Sequence, residues 1–193
     1  MQILYFTIIA GLIPLIGFAF TYKKKGLDSG VWTGCGLAVL ELVIVHFWLG
    51  EIDYTVVFAI CLFLVLGMMS IKSKDELFFK MQPALMFLSM SLLVAYHQFF
   101  DQPIFLKYFQ RYRSKLPEEI IKKVESIPNH EKLFVNQSIA MGVGLFLCGV
   151  IMFYVAKKMP VKWWLFFRAI IFYVVCFPLA MLASIMSASA GVH

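Results

Sequence analysis

Six long apolar stretches, residues 3–20, 31–49, 54–71, 83–100, 134–156 and 163–184, alternate with polar connectors along the chain. Each is near the ~20 residues that a helix rising about 1.5 Å per residue needs to cross ~30 Å of hydrocarbon. The expected fold class is therefore all-α: a polytopic transmembrane helix bundle, with residues 1–193 as a single integral membrane domain. Composition agrees, at 62% hydrophobic, 15% charged and 20 Phe, with a mean hydropathy of +0.85. A soluble domain is roughly 45–50% apolar and about 25% charged, so most of this surface must face lipid.

The first stretch carries Gly11, Pro14 and Gly17, which suit a kink, a tilt or re-entry as well as a crossing, so the count is five to six spans. It has neither a basic leading region nor a small-residue cleavage site and reads as a retained span rather than a removed signal peptide.

Glu41 sits near the middle of the second stretch. A carboxylate at that depth costs on the order of 2.5–3.5 kcal/mol, so it should face other helices or a wet cavity. His46 follows five residues later, about 140° further round the helix, and needs different neighbours. If the spans alternate in direction, His46, His97, Gln98, Asp101, Asn136 and Gln137 gather toward one membrane face, with Glu41 deeper. Arg168 enters from the opposite face, placed either to snorkel to headgroups or to reach inward. Small residues spaced by four mark close helix faces at Gly30, Gly34 and Ala38, at Ala140, Gly144 and Cys148, and at Ala180, Ser184 and Ala188. The second stretch is thus expected to be interior. The same faces serve packing within one chain or a homo-oligomer.

Residues 101–133 form an extramembrane loop within that domain. Over 103–115, Ile104, Phe105, Tyr108, Phe109 and Tyr112 share one helical stripe, while Lys107 and Arg111 share another and Arg113 adds a further charge. A basic amphipathic helix with aromatic residues lies flat at an interface and takes anionic lipid. Residues 116–127 read as a short surface helix, with Pro117, Glu118 and Glu119 at its start. Lys23, Lys24, Lys25, Lys72, Lys74, Lys80, Lys157, Lys158 and Lys162 fall in connectors that alternation puts on one side, against seven basic residues in the loop opposite. That count leans toward both termini outside.

The net charge of +6 suits lipid headgroups, and the absence of any basic-aromatic platform or nucleic-acid motif excludes a nucleic-acid partner. Cys35, Cys61, Cys148 and Cys176 lie in four different stretches without metal spacing and read as small buried packing residues. His97 and Asp101 stand one turn apart, yet HExxH, GxSxG, P-loop and GxGxxG motifs are all missing. Neither an enzyme, a metal site nor a cofactor is expected. A small transporter or lipid-handling protein using Glu41 remains the alternative to a structural role for that residue.

At residues 67–83, GMMSIKSKDELFFKMQP, the sequence resembles the bacterial intracellular septation protein A family, with Gly67, Asp75, Glu76, Phe78 or Phe79, and Lys80 in the positions of its hairpin. Leu12-Ile13-Pro14-Leu15 with the run from Phe18 to Lys23 is similar to the family's start. Asn136 with the runs Phe146 to Gly149 and Tyr154 to Ala156 resembles its penultimate span, and Trp164 with Phe167-Arg168 its last. Met81 stands where a Trp is expected, Ile151 or Met152 where a polar residue is, and residues 101–133 make a longer loop. The basic second loop and basic C-terminal tail of the family are missing as well. The resemblance implies a multi-pass protein of the bacterial inner membrane. It also implies a non-enzymatic role in septum formation and envelope integrity, through contacts with division and cell-wall synthesis proteins. It favours both termini inside, against the local charge count.

Overall fold

A computed structural model describes residues 2–49, 54–113, 117–127 and 130–189. Among them all regular structure is helical: α1 Gln2–Lys25, α2 Leu27–Leu49, α3 Tyr54–Ser73, α4 Glu76–Phe100, α5 Ile104–Tyr112, α6 Glu118–Glu125, α7 His130–Lys158 and α8 Val161–Ser189. Each of the six apolar stretches lies on one long helix. Among the described residues, four helices carry windows long and apolar enough to cross a membrane: Leu27–Ile44, Glu76–Phe100, His130–Lys158 and Val161–Ser187. A shorter apolar helix covers Ile60–Ser73. Pro14, Pro83 and Pro178 all lie inside helices.

The connectors are tighter than the sequence suggests. α1 and α2 are separated by Gly26 alone, whose φ of 83° is a conformation open to glycine and strained for most other residues. Residues 72–82, expected as a connector, are mostly helix: α3 runs to Ser73, and α4 starts at Glu76, seven residues before the expected Pro83. Lys74 adopts a φ of 55° and donates its N–H to the Ile71 carbonyl at 3.3 Å, while the Asp75 N–H reaches the Ser70 carbonyl at 3.2 Å. Those two bonds close α3 as a Schellman cap. Asp75 then caps α4, its Oδ1 accepting the Leu77 N–H at 2.8 Å.

The chain groups into two compact units. Unit 1 comprises residues 1–86 and 153–166, and its centre is aromatic. Phe18 stacks on Phe79 at 4.2 Å between centroids, Phe63 meets Phe79 edge-on at 5.0 Å, and Trp164 lies 5.7 Å from Phe79. α2 joins this core through Gly30, Val31, Gly34, Cys35 and Ala38, all buried. A Cβ on Gly34 would come within 3.0 Å of the Phe63 ring, and one on Gly67 of α3 would sit 2.7 Å from Val31. The small-residue face of α2 is therefore a packing face, yet α2 is not an interior helix. Trp32, Val39, Leu40, Val43, Ile44 and Phe47 are exposed, because one stripe of small residues permits close approach on one side only. Cys61 corrects a second expectation: it is exposed, whereas Cys35, Cys148 and Cys176 are buried.

Unit 2 comprises residues 87–152 and 167–193. Here α7 and α8 approach through Gly144, where a Cβ would stand 3.3 Å from the Cys176 backbone. The buried Cys148 and Cys176 thiols lie 3.9 Å apart. Asn136 donates to the Ser187 hydroxyl at 2.9 Å and Gln137 to Ser184 at 2.6 Å, while Ser91 of α4 donates to the Gly142 carbonyl at 2.9 Å. The Phe105 N–H of α5 reaches Ser138 Oγ at 3.4 Å, and the Phe109 ring packs 5.2 Å from Phe134. No residue of α6 is buried.

Candidate functional site

The most organised polar site lies in unit 1, and the capped α3–α4 turn positions it. By starting α4 at Glu76, the Asp75 cap places Glu76 in the first turn and Lys80 one turn later, the favourable order for a helical ion pair. Lys80 is buried, and its Nζ donates to Glu76 Oε1 at 2.8 Å and to the Met159 carbonyl at 3.0 Å. That carbonyl closes the α7–α8 turn ahead of Pro160, where an intrahelical donor is lacking. Glu76 Oε2 accepts the Tyr22 hydroxyl of α1 at 2.7 Å. The fully buried Trp164 of α8 donates its indole N–H to the Lys80 carbonyl at 2.8 Å. Pro83 removes the N–H that the Phe79 carbonyl would otherwise accept, so α4 bonds outward within a residue of the place where its own ladder is weakened.

One charge pair thus joins α1, α4 and the α7–α8 turn, and the indole adds α8. Both carboxylate oxygens are engaged and the ammonium is neutralised. This is the chemistry of a clasp: it fixes helix ends against one another and leaves no activated nucleophile. Around it Lys23, Lys24, Lys25, Lys72, Lys74, Lys157, Lys158 and Lys162 are all exposed. Lys80, one of the nine bases in the connectors expected on one side, belongs to the interior.

Unit 2 carries an exposed counterpart. His97 Nδ1 lies 3.0 Å from Asp101 Oδ2, the oxygen that also accepts the Lys107 ammonium. The Lys107 hydrogen bond, joined by the Gln102 N–H, holds the Asp101 carboxyl below its ordinary value of 3.8. Arg113 pairs with Glu125 at 2.6 Å. Lys107, Arg111 and Tyr108 are exposed, whereas Ile104, Phe105 and Phe109 are half-buried. The Tyr112 side chain lies outside the described residues.

The intramembrane polar residues do not form one described cluster. Glu41 is half-buried in unit 1, and the side chain of His46 lies outside the described residues. His97 belongs to the rim of unit 2, Asn136 is bonded to Ser187, and Arg168 is half-buried in unit 2. By contrast, Gly67, Asp75, Glu76, Phe79 and Lys80 all fall in unit 1. Glu76, Phe79 and Lys80 meet in the clasp and its aromatic bed. Tyr22 and Trp164 were not candidates for the site on sequence grounds. Each is an aromatic residue with a polar tip at a helix end, a type that wants one apolar and one bonded side.

The family model described as intracellular septation protein A matches residues 6–190. The chain belongs to that family. No curated protein and no solved structure matches it. Within this member of the septation protein A family, the segments that carried the resemblance from sequence supply every side chain of the clasp. Tyr22 comes from the start of the chain, Glu76 and Lys80 from the hairpin, and Trp164 from the last span.

Proposed function

We propose that this septation protein A family member crosses the bacterial inner membrane five to six times. It supports septum formation and envelope integrity through contacts with division and cell-wall synthesis proteins and with lipid, and it carries out no reaction of its own. The family match over residues 6–190 carries this reading. The α5–α6 region, rich in exposed charge, is the extramembrane amphipathic loop through which those contacts run. Cells lacking the protein should show defective septa that the full chain restores, and a chain lacking α5 but present at normal abundance should fail to restore them. Normal septa in the depleted cells would remove the proposal.

Glu41 favours one second reading, a transport or lipid-handling role. It is a half-buried carboxylate within a candidate span. Glu41→Gln should then abolish function at unchanged abundance; full complementation by that variant would dismiss it.

A further inference from the structure

The helix ends that meet at the clasp in unit 1 carry more positive charge than the fold uses. α1 closes on Lys23, Lys24 and Lys25, and α3 has Lys72 in its last turn with Lys74 just beyond. Lys157, Lys158 and Lys162 flank the α7–α8 turn. Each of the eight stands within four residues of Tyr22, Glu76 or Met159, and the bonds of the clasp hold those three positions together. All eight are exposed, and none has an ion pair among the described residues. The exposed acids at this end are Asp28 and Asp75, and Asp75 is occupied in capping α4. Of the 17 bases and 11 acids in the chain, nine bases lie here with Lys80 included, and three acids with Glu76 included. The eight of each that remain cancel, so the formal net charge of +6 resides wholly at this end. In the α5–α6 region, by contrast, Lys107, Arg113 and Lys122 each face a carboxylate. Helix dipoles favour lysines in the last turns of α1, α3 and α7, but Lys162 stands in the first turn of α8, where the dipole opposes it and no acid is present. The counter-charge for these lysines comes from outside the chain.

We infer that this lysine end is a docking surface for anionic phospholipid headgroups, engaging several phosphates at once. Its level fits that occupant: α4 starts at Glu76, α7 ends at Lys158 and α8 starts at Val161, all three are candidate spans, and the helices leave the hydrocarbon here. Lys24 Nζ lies 4.1 Å from the centre of the exposed Phe20 ring and Lys157 Nζ 4.5 Å from that of Phe153, so their stems follow apolar helix surface up to a charged head. That is the posture of a snorkelling lysine, and the exposed Trp163 supplies the aromatic residue typical of the same level. The charges are all lysine. A compact, hydrated ammonium answers a charged surface through its field, whereas capture of one particular phosphate calls for the arginine fork. Lipids are therefore chosen here by charge and not by headgroup shape. The inference rests on the reading that these helices cross a membrane and is independent of the role in septation, since its test reads lipid selectivity alone.

The experiment places the purified full chain in phosphatidylethanolamine nanodiscs with chain-spin-labelled phosphatidylglycerol or phosphatidylcholine, and reads the protein-restricted lipid fraction by electron paramagnetic resonance. Phosphatidylglycerol should be preferred by about fivefold at low salt, and the preference should shrink toward parity as salt rises, because these charges are exposed. Replacing all eight lysines, from Lys23→Gln to Lys162→Gln, should abolish the preference while leaving the clasp intact. Replacing Lys107, Arg113 and Lys122 by Gln should leave it in place. Equal restriction of the two lipids, a preference that survives the eightfold replacement, or one lost on neutralising the α5–α6 bases would overturn the inference. Displacement of phosphatidylglycerol by soluble polyglutamate would overturn it in favour of an acidic protein segment. Should the eightfold variant fail to fold, the triple variants Lys23→Gln, Lys24→Gln, Lys25→Gln and Lys157→Gln, Lys158→Gln, Lys162→Gln decide: each should lower the preference, and no change in either overturns the inference. A chain that does not enter nanodiscs at all would defeat the membrane reading along with it, whereas insertion without selectivity defeats this inference alone.

Discussion

Two lysine–carboxylate pairs in this protein have similar chemistry and opposite settings. In unit 1 the Lys80 side chain is 8% exposed and Glu76 is 35% exposed; in unit 2 Lys107 and Asp101 are 50% and 38% exposed. The buried pair has recruited a tyrosine and a backbone carbonyl, because taking charges from water is costly unless every bonding site is used. The exposed pair exchanges freely with solvent, which screens it. Contact geometry alone therefore says little about worth; the surroundings decide whether a salt bridge holds the fold or decorates it.

The strongest way to break the comparison is Lys80→Met. Leaving Glu76 half-buried without its cation should cost about 3 kcal/mol, toward the lower end of the usual range because the carboxylate keeps some access to solvent. Thermal unfolding of the purified protein would show it, and Glu76→Leu added to Lys80→Met should recover much of the loss. An unchanged midpoint for the single variant would make the two pairs equivalent. Next, Trp164→Phe keeps most of the aromatic bed but strands the Lys80 carbonyl, and should destabilise by roughly 1–3 kcal/mol. Asn136→Ala tests an uncharged interhelical bond in unit 2 and should cost only about 0.6 kcal/mol, typical of polar pairs within membranes.

Lys107→Ala should leave the unfolding midpoint where it is. Its effect should appear instead as a rise of the Asp101 carboxyl titration toward 3.8, followed by carboxyl carbon NMR. The sign follows from the direction of the shift. A carboxyl held low in the folded state contributes stability above its unfolded value and loses it as pH falls through the folded one, so any contribution is present at neutral pH, where solvent screening keeps it too small to move the midpoint, and disappears in acid below about 3.8. Loss of stability at neutral pH in Lys107→Ala would show the exposed pair to be structural after all.

Much of the helical framework was legible beforehand because apolar run length and spacing are local properties. The stretches expected at 31–49 and 134–156 fall on α2 and α7, and the small residues Gly34 and Gly144 lie at close helix approaches as their spacing implied. Residues 72–82 show where local reading stops. Their lysines and acids look like a solvated connector, and only the Schellman closure at Lys74 and the Asp75 cap turn most of them into helix. The second stretch shows the converse: apolar throughout, it promised an interior helix, whereas its small-residue stripe packs only one side of α2.

The sequence by itself determined that this chain is helical, lipid-facing and a member of its family, because those properties reside in composition, run length and short motifs. Tertiary structure decided which charges are structural. Lys80 is one lysine among many until it meets a carbonyl 79 residues away and an indole 84 residues away. No local pattern encodes those partners, since they are set by how tight turns bring helix ends together, and burial then makes each remaining bond obligatory.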